Sequence, residues 1–589
     1  MTGFDLGAGL IFLVLALSGL WLRKAPGLLG ARSGSLPDPA AEPSPRAYAV
    51  LAAALCAAAV AVRVVLFTAV PAGVNQDEAM AAVDAYALAR YGTDRFGTWL
   101  PAHFEAWGYA QMSVLMSYLA VPFLWVFGLS IWAIRLPVLI VSLAGIWVLY
   151  RFAGSAFGRR AGLAALAVAA VNPWHILQSR WALDCNLMAH FTLFGIYGLY
   201  LGMKKRRWAY AGTACMALGM YSYGIAVYTL PVLLLGIAAY TLARRRYRVR
   251  DVLLCAGLFL LISWPIIGTM MINAFAWNTV ELPFVTLQRF PASVRAGDLL
   301  FFTQDKPAQL AENAKSLGTI FLQGKDLPWN AVEGFGTVYG FGVWLMALAL
   351  AAPAAERLWR LWGNRSLSDP ADGADRPRVN ASPPSPDGSA GGAMLGIWLA
   401  GSALSGLVVN GANVNRVNHI FYPLILLCAL GAERLSRLGP RGTGLAAASV
   451  YGLAFCLFIG AYFGPHAQTL AWYNFNGFGA SVQAAEASGA ERLAVSARTL
   501  YGPSRQTAEI LTMFYARTDA RYFQGQPAED GRLPYAERYT YVSLDLSPPV
   551  PAPDTAYIFH RTERELFSGG EYRLEEYGDH GLAIPLGQN

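Results

Sequence analysis

Charged side chains are scarce in this sequence. Lys, Arg, Asp and Glu together make up 14% of the 589 residues, whereas 55% of the residues are hydrophobic. So little charge is not enough to cover the surface of a soluble protein of this length. The composition therefore argues against a soluble protein and predicts a chain that crosses a membrane several times.

Cysteine is sparse as well. Of the six cysteines only Cys185 falls in a polar segment, and no CxxC pair or Cys/His cluster occurs. Neither a zinc site nor a disulfide framework is therefore predicted. The net charge of +8 would suggest nucleic acid in a soluble protein, but here the basic residues cluster between apolar runs, where they set membrane topology. No nucleic-acid partner is predicted.

Long apolar runs are abundant. A crossing of the lipid bilayer needs about 20 apolar residues, and Lys and Arg concentrate on its cytoplasmic side. Both rules together predict an α-helical polytopic membrane protein with about twelve transmembrane helices and both ends outside. The predicted spans are residues 4–22, 47–70, 132–150, 163–174, 187–203, 208–221, 226–242, 252–271, 338–352, 393–409, 420–430 and 445–463.

One further apolar run, residues 109–127, is assigned differently. If it crossed the membrane, every later basic cluster would lie on the wrong side, so we predict a helix at the outer interface. The Pro- and Ser-rich residues 32–46 and the polar residues 357–392 are predicted to be flexible and cytoplasmic.

The composition changes after residue 463. Strands are predicted at 492–496, 539–544 and 555–560, with an amphipathic helix at 504–515. Three parts follow from this pattern. Residues 1–46 form an N-terminal helix and linker, residues 47–463 form the membrane core, and residues 464–589 form a small extracytoplasmic α/β domain, called here the C-terminal domain.

Two adjacent carboxylates, Asp77 and Glu78, follow the span at 47–70, and charge bias puts them on the extracytoplasmic side. One interpretation makes Asp77 a catalytic base with Glu78 in support. The other is a capping box, in which Asn75 and Glu78 start a helix near Gln76. The helix dipole favours carboxylates there in either case. Both interpretations hold together if Glu78 caps while Asp77 faces a cleft.

Several charged and amide side chains on the other outer segments are candidates for binding. Arg180 either holds a phosphate or pairs with Asp184 at the interface. Arg135 is a lone cation in an apolar helix, which predicts a phosphate or carboxylate partner. In the loop at 410–419 the asparagines and Arg416 either bind sugar hydroxyls and phosphate or simply form a turn.

Aromatic and histidine side chains are more ambiguous. Trp107, Tyr109 and Tyr223 either stack on a sugar or isoprenoid or belong to the aromatic belt of the membrane interface. His103 and His419 show no spacing typical of metal ligands and are interpreted as ordinary interfacial histidines.

The order of these motifs resembles a known family. Gln-Asp-Glu-Ala at 76–79, Tyr-Gly-Thr-Asp at 91–94, His-Phe at 103–104 and Trp-Gly at 107–108 resemble the GT-C glycosyltransferases, above all the protein O-mannosyltransferase and aminoarabinose transferase group. Phe-Gly-Leu-Ser at 127–130, Arg-Leu-Pro at 135–137, Asp-Leu-Pro-Trp-Asn at 326–330 and Asn-Val-Asn-Arg-Val-Asn at 413–418 resemble later landmarks. The resemblance covers about residues 47–463 and leaves out the N-terminal helix and the C-terminal domain.

This resemblance implies an inverting GT-C enzyme of the plasma membrane that moves a monosaccharide from a polyprenyl-phosphate-linked donor to a hydroxyl-bearing acceptor on the extracytoplasmic face. By position Asp77 matches the family's catalytic acidic residue, with Glu78 as a second carboxylate. The candidate donor-binding residues are His103, Trp107, Tyr109, Arg135, Arg180, Asp184, Asn186, Tyr223, Asn413, Asn415, Arg416 and Asn418. Some relatives bind a divalent metal ion near this site, so a divalent metal is the one candidate cofactor. Two alternatives stay open: a transporter or flippase of lipid-linked sugars, and a non-catalytic protein of cell-envelope assembly.

Overall fold

The computed structural model describes residues 3–24, 44–108, 110–291, 299–322, 325–351, 386–438, 443–499 and 502–586. Tyr109 lies outside these ranges. The same holds for residues 32–43 and 357–385, which make up most of the two predicted cytoplasmic segments.

Helices dominate the chain up to residue 463. They are α1 Gly3–Lys24, α2 Pro45–Val64, α3 Gln76–Tyr91, α4 Leu115–Phe127, α5 Ile131–Phe157, α6 Arg159–Val171, α7 Pro173–Gln178, α8 Asn186–Gly202, α9 Arg207–Gly219, α10 Ala226–Ala243, α11 Val249–Ala274, α12 Lys306–Leu322, α13 Gly342–Ala351, α14 Pro386–Val408, α15 Phe421–Leu438 and α16 Thr443–Phe463. Between them lie two short hairpins, β1 Phe104–Ala106 with β2 Ala110–Met112, and β3 Val280–Leu282 with β4 Val285–Leu287.

Within the described part of the chain, seven helices are long and apolar enough to cross a membrane, namely α2, α5, α10, α11, α14, α15 with the turn before it, and α16. The other five predicted spans coincide with α1, α6, α8, α9 and α13, which fall outside that set. The predicted helical polytopic fold is therefore confirmed. The total of about twelve spans stays a prediction.

The run at 109–127 does not form one long helix. Its first residues belong to β2, and α4 has only 13 residues. A helix of that length rises about 20 Å, which is less than the ~30 Å of the hydrocarbon core. The Ser117 hydroxyl donates to the Ala81 carbonyl (2.9 Å) and the Trp125 indole to the Ala89 carbonyl (2.8 Å), so α4 lies along α3. This length argues against a crossing.

Several helix boundaries differ from the prediction. The helices α5 and α15 continue to Phe157 and Leu438, beyond the predicted ends at residues 150 and 430. The helix α14 begins at Pro386, before the predicted start at residue 393, and its first turns pack closely on α5. A Cβ at Gly391 would come within 2.5 Å of the Ala156 Cβ, so a small residue permits this contact. The helix α2 ends at Val64, before the predicted end at residue 70, for a reason given below.

The N-terminal helix α1 belongs to the packed bundle. The Asp5 carboxylate accepts a hydrogen bond from the Phe341 amide (3.0 Å). Phe341 directly precedes α13, and the helix dipole favours a negative charge at this N-terminal end. The rings of Phe12 and Phe341 meet edge to face with centroids 6.0 Å apart. The extra helix therefore packs against the core of the bundle.

The C-terminal domain is a mixed five-stranded sheet with helices, as predicted. Its elements are α17 Pro465–Tyr473, α18 Phe478–Ala487, β5 Arg492–Ser496, β6 Arg498–Thr499, β7 Gly502–Pro503, α19 Arg505–Tyr515, α20 Ala520–Phe523, α21 Tyr535–Arg538, β8 Tyr539–Val542, β9 Thr555–His560, β10 Tyr572–Tyr577 and β11 His580–Pro585. The strand order is β10-β11-β9-β5-β8, with β5 parallel to β8 and β9. The predicted strands at β5, β8 and β9 and the helix α19 are found. The hairpin of β10 and β11 was not predicted, because its edge strand carries charged residues and lacks a clear hydrophobic alternation.

The C-terminal domain lies against residues 65–130, which the sequence predicts to be extracytoplasmic and which are called here the first outer loop. The Tyr91 hydroxyl donates to Asp519 Oδ2 (2.6 Å), and the Gln524 amide donates to the Arg95 carbonyl (3.0 Å). The helix α19 packs along α3. The helix that carries Asp77 and Glu78 is thus held between the membrane core and the C-terminal domain.

Candidate active site

The start of α3 agrees with the predicted position, although the capping differs from the predicted box. The helix begins at Gln76, and the Asn75 side chain accepts a hydrogen bond from the Asp77 amide (3.0 Å). The Glu78 carboxylate does not close a capping box, because it contacts other partners. Asp77 is half-buried in the first turn, where the helix dipole favours its ionised form.

Glu78 is fully buried in an ion pair with Arg135. The Arg135 Nε lies 2.7 Å from Glu78 Oε1, and Nη2 lies 2.8 Å from Oε2; neither side chain is exposed. The Ala182 amide also donates to Glu78 Oε1 (2.8 Å). A carboxylate with these partners anchors the start of α3. The geometry argues against a second catalytic carboxylate at Glu78.

The sequence predicts a phosphate or carboxylate partner for Arg135, and in the structure the partner is the Glu78 carboxylate. Its remaining guanidinium donors go to the carbonyls of Pro71 (2.8 Å) and Gly73 (2.7 Å), in the turn before α3. A planar guanidinium suits this set of acceptors, because its donors form a rigid fork. The ion pair of Arg135 and Glu78, called here the clamp, therefore fixes the start of α3. The guanidinium donors of Arg135 are occupied by protein acceptors and are not available for a donor phosphate.

Arg180 fits neither sequence interpretation. It is buried, and it donates to the carbonyls of Val62, Val65, Leu66 and Val70 at 2.8–3.0 Å. These carbonyls lie at the end of α2 and just after it, where a helix leaves its last acceptors unpaired. Arg180 therefore terminates α2 before residue 70. It binds this turn rather than a phosphate or Asp184.

The position of Arg180 leads to a testable expectation. We expect Arg180→Lys to lower the free energy of unfolding by about 2–3 kcal/mol, because one ammonium cannot donate to four carbonyls. The KM for a lipid-linked donor should change less than about twofold, since no donor contact is removed. Melting of the purified protein in detergent and donor titration measure the two effects. A large rise in KM at unchanged stability would return Arg180 to the donor site.

The loop at 178–186 is braced from within and from the loop at 410–419. The Asn186 side-chain amide donates to the carbonyls of Gln178 and Trp181, both at 3.1 Å, and Asp184 Oδ1 accepts from the Cys185 amide (2.7 Å). The Asn418 side-chain amide donates to the Cys185 carbonyl (3.0 Å). Asn186 and Asn418 are fully buried. Their amides therefore hold loop backbone together.

Asp326 joins a third outer segment to these two loops. Its carboxylate accepts from the Val414 amide (2.5 Å) and from the Asn330 side chain (3.2 Å). Asn330 in turn accepts from the Gln178 side chain (3.0 Å). Burial raises the pKa of Asp326, while the hydrogen bonds it accepts oppose that rise. The segments at 178–186, 326–330 and 410–419 thus meet, and the first of them contacts Glu78 through Ala182.

The 410–419 loop keeps two side chains suited to a ligand. Asn413 Oδ1 accepts from the Arg416 amide (3.0 Å), and Arg416 Nη1 donates to the Asn410 carbonyl. Arg416 remains half-buried. Among the described residues Asn415 Oδ1 is buried without a hydrogen-bond partner, which is unusual for a polar atom. Asn415 and Arg416 therefore remain candidates for donor binding.

The aromatic and histidine candidates lie in two places. Tyr223 packs against the cluster of Trp181, Leu183 and Cys185 in the 178–186 loop. His103 is buried just before β1. Trp107 stands at the turn of the β1–β2 hairpin with a φ of +58°, a left-handed conformation that is rare for a bulky residue and often marks a functional position.

Two buried polar clusters escaped the sequence analysis. Arg63 in α2 donates to His175 Nδ1, and Tyr422 joins His175 (3.0 Å) to His190 (2.7 Å); all four side chains are buried. In α3, Asp84 is ion-paired with Arg95. Burial raises the pKa of Asp84 to about 7, against the opposing effect of Arg95. The sequence does contain a signal for Arg63. Like Arg135, it is a lone cation inside a predicted span, and such a cation indicates a buried polar partner.

Across the residues that the structure describes, no group of three or more His, Cys, Asp and Glu side chains could hold a metal ion. No ligand set is assigned for a divalent metal.

Residues 111–268 match the family model of dolichyl-phosphate-mannose-protein mannosyltransferases. The predicted family resemblance is thereby confirmed for this segment. The mannosyltransferase-like segment contains Arg135, Arg180 and Tyr223 but begins after Asp77, so the role of Asp77 stays a prediction. The match supports a membrane glycosyltransferase that uses a lipid-linked donor. A search of curated protein sequences gives no match to this chain.

Solved structures give weaker likenesses. ArnT from Cupriavidus metallidurans bound to undecaprenyl phosphate is 14% identical, covers 91% of this chain and 97% of its own, and has a TM-score of 0.47. Archaeal oligosaccharyltransferase AglB from Archaeoglobus fulgidus, in complex with an inhibitory peptide and a dolichol-phosphate, is 13% identical, with coverages of 79% and 63% and a TM-score of 0.46.

Proposed function

We propose that this protein is an inverting glycosyltransferase that moves a monosaccharide from a polyprenyl-phosphate donor to a hydroxyl acceptor on the extracytoplasmic face of the plasma membrane. The observation that carries the proposal is that the two adjacent carboxylates, Asp77 and Glu78, lie in different environments. Glu78 is committed to Arg135 and Ala182, whereas Asp77 stays half-exposed at the start of a rigidly held helix. The family match beside this helix supports the reaction class.

The proposed reaction is a single displacement. The Asp77 carboxylate accepts the proton of the acceptor hydroxyl as the hydroxyl oxygen attacks the anomeric carbon. The bond from that carbon to the phosphate oxygen breaks on the opposite face, and polyprenyl phosphate leaves with the electron pair. One displacement inverts the anomeric configuration. The clamp of Arg135 and Glu78 serves the reaction indirectly, because it fixes the helix that carries Asp77.

The phosphate of the donor needs positive charge or hydrogen-bond donors as it leaves. Arg135 and Arg180 are fully used by carboxylate and carbonyl acceptors. Arg416 is half-buried on the 410–419 loop, beside Asn415 with its unpartnered oxygen. We therefore assign the phosphate to Arg416 and the sugar hydroxyls to the amides of this loop.

An apolar groove suits the isoprenoid chain. It has a volume of about 630 Å³ and lies between α9, α10 and α11. Its lining on α11 runs from Val252 to Phe275, which is about 35 Å at the rise of an α-helix and matches the ~30 Å hydrocarbon core. Lipid tails are as apolar as this groove, so the groove is suited to hold the isoprenoid by close van der Waals contacts and not by removing it from water.

Narrowing this groove is expected to weaken donor binding in a chain-length-dependent way. Ala256 lines the groove, and Ala256→Trp should raise the KM for a long-chain donor about tenfold. The Trp ring removes van der Waals contacts between the chain and the groove, and a loss of about 1.4 kcal/mol corresponds to that factor. A donor with only two or three isoprene units should be affected less.

Leu253→Trp provides the matched control, because Leu253 lies on the same helix, is exposed and does not line the groove. Transfer assays with long- and short-chain donors measure the effect. An equal KM for wild type and Ala256→Trp with the long-chain donor would contradict the placement of the isoprenoid.

The function itself is tested with the purified protein and synthetic polyprenyl-phosphate donors that carry labelled sugars. The expected result is formation of a labelled product and release of polyprenyl phosphate. A flippase would instead move the intact donor between the leaflets of a vesicle. If no donor of the panel reacts or moves, the non-catalytic alternative is favoured.

A further inference from the structure

A polar cavity, separate from the apolar groove, lies between the first outer loop and the C-terminal domain. Its volume is about 230 Å³, somewhat below the ~300–1,000 Å³ of pockets for drug-sized ligands. The β1–β2 hairpin forms one wall through Glu105 and Trp107, and α19 forms the other through Gln506 and Glu509. The two walls are close, since a Cβ at Gly108 would come within 2.9 Å of the Gln506 side chain.

This cavity lies beside the candidate base. Met80 lines it, and Met80 follows Asp77 by three residues, so both lie on the same face of α3, about 4.5 Å apart along its axis. Arg95, a further lining residue, is ion-paired with Asp84, which lies one turn beyond Met80 on that face. The cavity therefore meets α3 at Met80, one helical turn after Asp77.

The lining favours neutral polyhydroxyl ligands. Arg95 is ion-paired with Asp84, and the lining also contains the two carboxylates Glu105 and Glu509, so carboxylates outnumber cations at the cavity. Both carboxylates line the cavity together with the Trp107 ring and the Gln506 amide, and within the described residues neither carboxylate accepts a hydrogen bond. Burial raises the pKa of Glu509, and the nearby charges of Arg505 and Arg95 oppose that rise. Two carboxylates repel a phosphate but accept hydrogen bonds from neighbouring hydroxyls, and Trp107 offers an apolar face to a sugar ring.

We propose that this cavity is the acceptor subsite and that the acceptor presents a sugar ring there, held by Glu105 and Glu509 and stacked on Trp107. The proposal rests on the proposed function, since it places the acceptor hydroxyl beside Asp77. It gives the C-terminal domain a defined part in the site, because α19 supplies half of the lining. A peptide acceptor is less suited, as the backbone amides and carbonyls of a peptide do not need two carboxylates.

Binding without donor tests the subsite separately from catalysis. The full-length protein in detergent is titrated with methyl glycosides of hexoses, pentoses and N-acetylhexosamines, and with a Ser/Thr-containing peptide, by saturation-transfer NMR. We expect at least one glycoside to bind. We expect Glu509→Gln and Glu105→Gln each to weaken that binding about tenfold, because a charged acceptor is replaced by a neutral one. Glu529→Gln, at an exposed carboxylate of the same domain, should bind as wild type does.

The outcomes separate the subsite from the reaction. Glycoside binding that is weakened in both variants, with unchanged melting temperatures, supports the subsite even if no donor is ever turned over. Sugar transfer without glycoside binding, or with binding that neither substitution weakens, overturns the subsite and leaves the proposed function intact. Peptide binding that is weakened by the same two substitutions overturns the sugar assignment in favour of a peptide acceptor.

Discussion

Asp77→Asn is expected to lower the kcat of sugar transfer by about 10²–10⁴-fold, the usual contribution of a general base. The carboxamide keeps the size of the side chain but cannot take the proton of the acceptor hydroxyl. The Asn75 cap bonds to the backbone amide of residue 77, so the start of α3 does not depend on the lost carboxylate. Initial rates with a labelled polyprenyl-phosphate donor measure the effect, and the KM for the donor should change little.

Glu281→Gln is the matched control for Asp77→Asn, because it makes the same chemical change at an exposed position of the hairpin β3–β4. Its rate should equal that of the wild type. Melting temperatures of both variants check that the fold is retained. Undiminished transfer by Asp77→Asn would remove Asp77 from the reaction and leave no candidate base at the start of α3, since Glu78 is buried in its ion pair.

Arg135→Met is expected to lower the free energy of unfolding by about 3–5 kcal/mol, because it leaves Glu78 as a buried charge without its counterion. The carbonyls of Pro71 and Gly73 lose their donors at the same time. Thermal melting in detergent gives the measurement. Transfer should fall as well, since the clamp fixes the helix that carries Asp77.

The exposed pair of Arg564 and Glu576 provides a control for this effect. Both of its side chains are 57% exposed, and Arg564→Met should cost at most about 1 kcal/mol. Combining Glu78→Met with Arg135→Met should cost less than the sum of the single changes, because no unpaired charge is then buried. A wild-type melting temperature for Arg135→Met would show that other contacts hold the start of α3.

Much of the local structure could be predicted from the sequence. Each of the twelve predicted spans coincides with a helix, and the start of α3 at Gln76 was recognised from Asn75 and the carboxylates after it. In the C-terminal domain the strands β5, β8 and β9 stand out by their apolar residues. Such features depend on neighbouring residues, so a sequence pattern is sufficient to predict them.

The assignment of individual side chains was harder. The charged residue nearest to Arg180 in the sequence is Asp184. The acceptors of Arg180 are instead backbone carbonyls more than 100 residues earlier; Val70, for example, lies 110 residues away. For Glu78 the local pattern predicts a capping box, but its partner Arg135 lies 57 residues later in the chain. A buried polar group takes the partner that the fold brings to it, and sequence distance does not limit that choice.

The sequence by itself determined that this is a helical membrane protein, that an acidic pair opens a helix just after a membrane span, and that the surrounding motifs resemble a glycosyltransferase family. Hydropathy, charge bias and capping are local properties, which is why they could be read in order along the chain. Only the tertiary structure decided that Glu78, Arg135 and Arg180 fix the backbone between α2 and α3, while Asp77 is only half-buried. That division depends on burial and on remote partners, which exist only once the helices are packed.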